Sequence, residues 1–148
     1  LADRQYVVGE RYMLVPQKER SINSHNHYFA TLNEAWRNLP EHLGDRFPTV
    51  EHLRKFALIR AGYRNERSVA FADEEQANKG AALVQPSDDY AVVVARENIV
   101  TVYTAKSQSM KAMGREAFQQ SKERVLDELA KIIGTTPDEI RENARQAA

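Results

Sequence analysis

Four histidines, His25, His27, His42 and His52, fall in one span of the chain and raise the chemistry of a metal site. Ligands that share an ion from one helix face recur every three or four residues. His25 and His27 are two apart, a divergence of about 200° around a helix. His42 and His52 have no acidic or histidine partner at a ligand-like spacing, so surface and cap roles are expected for all four and no metal is. The paired carboxylates Glu74-Glu75 and Asp88-Asp89 are adjacent, and adjacent side chains on an extended chain point apart. They read as solvated acidic turns rather than as an acid/base pair. No G-x-S-x-G, H-E-x-x-H, Walker A or Rossmann glycine pattern is present. The absence of cysteine removes thiolate metal sites, disulfides and a cysteine nucleophile. A non-enzymatic chain without a cofactor is the expectation.

Basic residues offer a second chemistry. Arg54, Lys55, Arg60 and Arg64, with Tyr63 among them, would supply phosphate contacts and one stacking ring at the end of a helix. Arg60 and Arg64 are four apart, so a helix continued through them would present both on one face. Lys106 and Lys111 flank Ser107 and Ser109 at a sheet-to-helix junction, where hydroxyls and free amides suit phosphate oxygens. Arg20, beside Ser21 at a helix start, is a further candidate contact. The bland alternatives are a solvated helix face for the first group and simple helix caps for the serines.

Charge is unevenly placed although the formal total is zero. Between positions 46 and 67 six basic residues oppose two acidic ones; from 68 to 97 six acidic residues oppose two basic ones; from 98 to 124 five basic residues oppose two acidic ones. A neutral chain does not coat nucleic acid by bulk charge, but two basic zones flanking an acidic one allow a local patch.

The elements that must position these groups follow from pattern. At 148 residues the chain fits a single domain, with one core and no need of a staple. "YVVGERYMLVP" reads as an opening strand or hairpin. Ser21 would cap a helix carrying Ile22, Phe29, Leu32, Trp36 and Leu39, ended by Pro40 and Gly44. Thr49 would cap a second helix with Val50, Leu53, Phe56 and Ala57 on one stripe, closed by Gly62. "RSVAFADEEQANKGAALVQPSDD" reads as weak strands around an exposed acidic loop from Ala72 to Gly80. "YAVVVARENIVTVYTA" predicts a hairpin turning at Arg96-Glu97-Asn98. From Met110 to Gly134 the pattern is one long helix through Met113, Phe118, Val125, Leu126, Leu129, Ile132 and Ile133. "TTPDEI" starts a short last helix over 136–147. There is no internal repeat or low-complexity tract. The sum is α+β: a small antiparallel sheet with three main helices packed largely on one face. Ile140 or an apolar remainder on the long helix would be the place for a dimer seam. Leu1 in place of Met points to a trimmed terminus, and no apolar run reaches the length of a membrane span or signal core, so a soluble cytoplasmic protein is expected.

Three stretches, in order, resemble a family of phage and prophage proteins that is itself a domain of unknown function. "NHYFATLNEAW" is similar to that family's helix with a Phe-Ala-Leu-Leu core followed by Ala and an aromatic. "LRKFALIRAGY" is similar to its arginine-lysine helix ending in Ala-Gly-aromatic. "AKSQSMKAMGREAF" is similar to its Ala-Lys-Ser-x-Ser-Phe segment, here Ala105, Lys106, Ser107 and Ser109, with Met113 and Phe118 following. Met110 stands for the usual Phe, and Ala117 for an acid. The resemblance spans roughly residues 18 to 133. More distantly, Arg20-Ser21 with Asn23 and Asn26 is similar to the Arg-Ser-x-x-x-Asn helix start of the phage NinB recombination family, although the asparagines fall two and five after the serine rather than four. The NinB likeness implies a homodimer that binds single-stranded DNA and helps to load a recombinase or annealing protein.

The expectation is therefore a phage-encoded accessory protein of DNA metabolism or recombination in the bacterial host cytoplasm. It would bind single-stranded or junction DNA through Arg20, Arg54, Lys55, Arg60, Arg64, Lys106 and Lys111, with Tyr63 stacking. The alternative is a factor that docks onto a host or phage protein through the acidic segment at 73–76, Asp88-Asp89 and apolar helix faces.

Overall fold

The β-branched runs at 92–105 fold as the expected hairpin. In the computed structural model, which describes residues 26–84 and 90–147, strand β2 (Val92–Arg96) pairs antiparallel with β3 (Ile99–Ala105). Arg96 faces Ile99, so Glu97 and Asn98 alone make the turn, Glu97 at φ 55°. Strand β1 (Arg64–Ala70) pairs antiparallel with the other side of β3, giving a three-stranded sheet in the order β1-β3-β2. Asn98 fastens the turn to the end of β1: its backbone carbonyl accepts from Phe71 N–H at 2.7 Å and its side-chain amide donates to the Phe71 carbonyl at 3.0 Å.

The two faces of the sheet have different neighbours. On one, Val100 and Val102 are buried beneath α4 (Glu74–Leu83), which packs on β2 and β3. This helix replaces the acidic loop expected from Ala72 to Gly80. Asp73 caps it, accepting from Gln76 N–H at 2.8 Å, and Glu74 and Glu75 sit in its first turn, where they complement the helix dipole. A helix also needs something to dock on, and Gly80 supplies the fit. A Cβ there would lie 2.3 Å from Cζ of Phe71, so only a bare α-carbon admits that ring. The opposite face is open at its far end, where Val94 and Ile99 are exposed, and at its near end Val92 and Ala105 meet the helical body.

That body comprises α1 (helical over the described residues 26–37), the short α2 (Glu41–Gly44), α3 (Val50–Ala61), α5 (Met110–Met113), α6 (Arg115–Ile133) and α7 (Pro137–Ala147). The fold is α+β, with α1, α3 and α6 as the main helices of one core. Leu32, Phe47, Leu53, Phe56, Leu58, Val125 and Leu129 pack together in it, each large side chain burying about 1.5–3 kcal/mol worth of apolar surface. Thr49 caps α3 by accepting from His52 N–H, and Gly62 closes it in a left-handed turn. Trp36 packs against the core and donates its indole N–H to the Phe47 carbonyl at 2.8 Å.

Four local expectations change. On α1 the buried apolar residues are Tyr28, Leu32 and Ala35, while Phe29 is exposed; the ring that enters the core is the one with a hydroxyl. Pro40 ends α1 but also opens α2 as its N-cap. The long helix from Met110 is two helices. Ser109 caps α5, and Gly114, at φ 84° and ψ 160°, a conformation essentially confined to glycine, breaks the rod before α6 begins. Ile140 is buried in this chain's own core rather than left for a dimer seam. Its helix starts as expected, with Thr136 accepting from Glu139 N–H and the Glu139 carboxylate returning to Thr136 N–H. The opening strand, Ser21 and Asp88-Asp89 lie outside the described residues. Among the described residues, no helix is long and apolar enough to cross a membrane.

Candidate nucleic-acid interface

The chain leaves β3 through "KSQSMKAMGR", positions 106–115, which contains three basic residues and no acidic one. Lys106, Ser107, Lys111 and Arg115 are exposed along it. Short polar connections of this kind stay mobile unless their backbone or a side chain is tied down. Besides the Ser109 cap of α5, two ties reach other elements. Lys106 N–H donates to the Tyr63 carbonyl at 3.0 Å, extending the β1/β3 ladder by one step. Gln108 turns inward and joins three elements.

The Gln108 carbonyl oxygen accepts from the Tyr28 hydroxyl on α1 at 2.9 Å and from the Arg54 guanidinium on α3 at 2.9 Å. Its amide donates to Ser121 Oγ on α6 at 3.0 Å, and that hydroxyl donates onward to the Phe118 carbonyl at 2.7 Å. Both acceptor positions of the glutamine oxygen are filled, and the buried serine both accepts and donates. Arg54 is in turn held by Glu51 through paired contacts of 3.1 Å from Nε and 2.5 Å from Nη2. This bond to Arg54 holds the Glu51 carboxyl below the usual carboxylate range. Burial pushes the Tyr28 phenol up to about 12. Lys122, next in sequence to Ser121, lays its ammonium 4.4 Å from the centre of the Phe118 ring and 6.0 Å from that of Tyr28, and burial lowers its pKa.

The eight candidate contacts therefore occupy different settings. Lys106 and Lys111 lie exposed on one connection. Arg54, with a side chain 15% exposed, is engaged by Glu51 and Gln108, so its charge positions the connection instead of facing a phosphate. Tyr63 is half-buried against the helical core and contributes its backbone carbonyl to the tie. Lys55 is half-buried on α3. Arg60 and Arg64 do not share a helix face, because α3 ends between them and the chain reverses at Gly62 into β1. Arg64 bonds Glu66 at 3.0 Å and the Ile59 carbonyl at 2.9 Å while stacking over Tyr103 on the open sheet face. Arg60 turns toward α6. Arg20 lies outside the described residues.

Beside Arg60 a groove of about 440 Å³ runs between the end of α3 and α6, lined by Arg60, Ala61, Arg124, Asp127, Glu128 and Lys131. Arg124, Glu128 and Lys131 had a signal in the sequence, a charged stripe at spacings of four and three. Gln108 had none, since it is the variable position of the Lys-Ser-x-Ser stretch. His27 and His42 are exposed and His52 packs edge-on against Tyr90; among the described residues no group of three or more acidic or histidine side chains could hold a metal ion.

No family model, curated protein or solved structure matches this chain.

Proposed function

We propose that the chain is a non-enzymatic accessory protein of phage DNA metabolism or recombination, acting in the bacterial host cytoplasm as a homodimer and binding single-stranded or junction DNA. The phage setting and the dimer rest on the resemblances of "NHYFATLNEAW", "LRKFALIRAGY", "AKSQSMKAMGREAF" and the Arg20-Ser21 start. One observation carries the DNA reading: an acid-free stretch from the end of β3 through α5 to the first residue of α6, with Lys106, Lys111 and Arg115 exposed, fixed near its start by Gln108. A charged segment held in one geometry loses less entropy on meeting a phosphate backbone than a loose one. Anisotropy of a labelled single strand, titrated at several salt concentrations, tests it. Affinity should fall steeply with salt, and Lys106→Glu with Lys111→Glu should weaken binding to all sequences alike and flatten the salt slope by about two. Absent or salt-insensitive binding at low ionic strength would end the proposal.

A second reading, docking onto a host or phage protein, is favoured by the open end of the sheet, where Val94 and Ile99 are exposed beside Arg96 and Glu97, and by the exposed acidic first turn of α4. Only this reading predicts a partner that stays bound in a host lysate treated with nuclease.

A further inference from the structure

The groove between the end of α3 and α6 contains a buried acceptor with nothing to accept. Glu128 is 9% exposed. Its Oε1 lies 3.7 Å from Lys131 Nζ, and its Oε2 lies 4.0 Å from Arg60 Nε, beyond hydrogen-bond reach. Oε2 is a buried side-chain oxygen without a hydrogen-bond partner among the described residues. A buried carboxylate oxygen left in this state is destabilising, and a donor brought by a ligand removes that cost. The groove's volume of about 440 Å³ falls within the roughly 300–1,000 Å³ of small-ligand clefts.

The lining also sets the ligand's charge. Arg60, Arg124 and Lys131 oppose Asp127 and Glu128, which leaves one positive charge in surplus. The ligand that fits carries one negative charge and, beside it, a neutral hydrogen-bond donor. One nucleotide unit of a single strand has both, a phosphodiester and a base edge. Because an ionised carboxylate only accepts, the base must present a donor to Oε2. Cytosine offers its N4 amine, whereas thymine places a carbonyl oxygen at the same position, and two acceptors repel. Along the chain the groove lies close to the tie of the proposed contact segment: Ala61 lines it, and Tyr63, two residues on, holds Lys106.

We infer that this groove is a subsite for one nucleotide of a bound single strand, Arg60, Arg124 and Lys131 taking its phosphate and Glu128 Oε2 accepting from an exocyclic amine of its base. The inference rests on the reading of the chain as a single-strand binder and adds to it a preference among bases. It is tested by anisotropy with labelled oligo(dC) and oligo(dT) of equal length at low salt. Oligo(dC) binds about ten-fold more tightly to the wild-type chain, as expected for one hydrogen bond to a charged group. Glu128→Leu abolishes the preference, because oligo(dC) loses its acceptor while oligo(dT) is freed of the repulsion between two acceptors. Arg124→Glu, a change at an exposed position, weakens both alike. Equal affinities in the wild type, a preference that survives in Glu128→Leu, or no loss in Arg124→Glu overturns the subsite and leaves the single-strand reading standing. No binding to either oligonucleotide overturns both.

Discussion

Ser121 and Glu128 lie on the same helix, seven residues and about two turns apart, and both are buried, yet they sit in opposite kinds of polar environment. Around Ser121 the Tyr28, Arg54 and Gln108 side chains meet with their hydrogen-bonding groups matched. Around Glu128 two cations approach but neither closes a hydrogen bond to Oε2. A satisfied buried network fixes geometry; removing a member strands the others in a low-dielectric interior. An unsatisfied acceptor stores a cost that a ligand can relieve. The first cluster thus reads as the anchor of the 106–115 connection, and the second as a place to bind.

Stability measurements can break this contrast. Gln108→Leu should have the largest effect, because it leaves the Tyr28 hydroxyl, one arm of Arg54 and Ser121 without their partner. A loss of about 3 kcal/mol is expected in urea unfolding, and a loss below about 0.5 kcal/mol would mean the node anchors nothing.

Alkaline titration comes next. Burial raises the Tyr28 pKa from 10.0 to about 12, so between those values the unfolded chain releases a proton that the folded chain retains. Stability therefore falls as pH rises through that window, by about 2 kcal/mol in all. Lys122 has the opposite sign: its lowered pKa makes the folded state release its proton first, so stability rises with pH up to the ordinary lysine range. Unfolding of the wild type and of Tyr28→Phe, followed from pH 9 to 12, separates the two. The difference between them should shrink with pH, and parallel curves would refute the buried phenol.

The smallest effect should come from Glu128→Leu, which removes a carboxylate already short of partners. Its stability should stay within about 1 kcal/mol of wild type, because replacing a poorly compensated buried ion by an apolar group is often neutral or stabilising. A loss near that of Gln108→Leu would show that the two clusters are both structural and erase the distinction.

Much of the architecture was legible as residue chemistry, and the exceptions have identifiable causes. The hairpin, expected to turn at Arg96-Glu97-Asn98 and turning at the last two of these, the Thr49 cap, the Gly62 and Gly134 stops and the Thr136 start are all present. The segment from Ala72 to Gly80 misled because its acidic cluster suggests a loop, although Asp73 with Gln76 three residues on is also a cap signature. Gly114 breaks a helix whose apolar stripe runs through it, since a backbone angle leaves no trace in periodicity. Of the basic candidates, the pattern identified the residues but not their surroundings: Arg54 and Lys106 look equivalent as letters, and only one of them is exposed.

By itself the sequence determined the elements whose ends are set within about four residues, because caps, two-residue turns and glycine stops are contacts between near neighbours. It also determined the α+β class, through the change from period two to period 3.6. It took the packing of the helices to bring Gln108 to Tyr28 across 80 positions and to Arg54 across 54, and to set Glu128 against Arg60 with one oxygen unmatched. Those outcomes depend on how helices dock against one another, and a fraction of an ångström there separates a closed hydrogen bond from an open one.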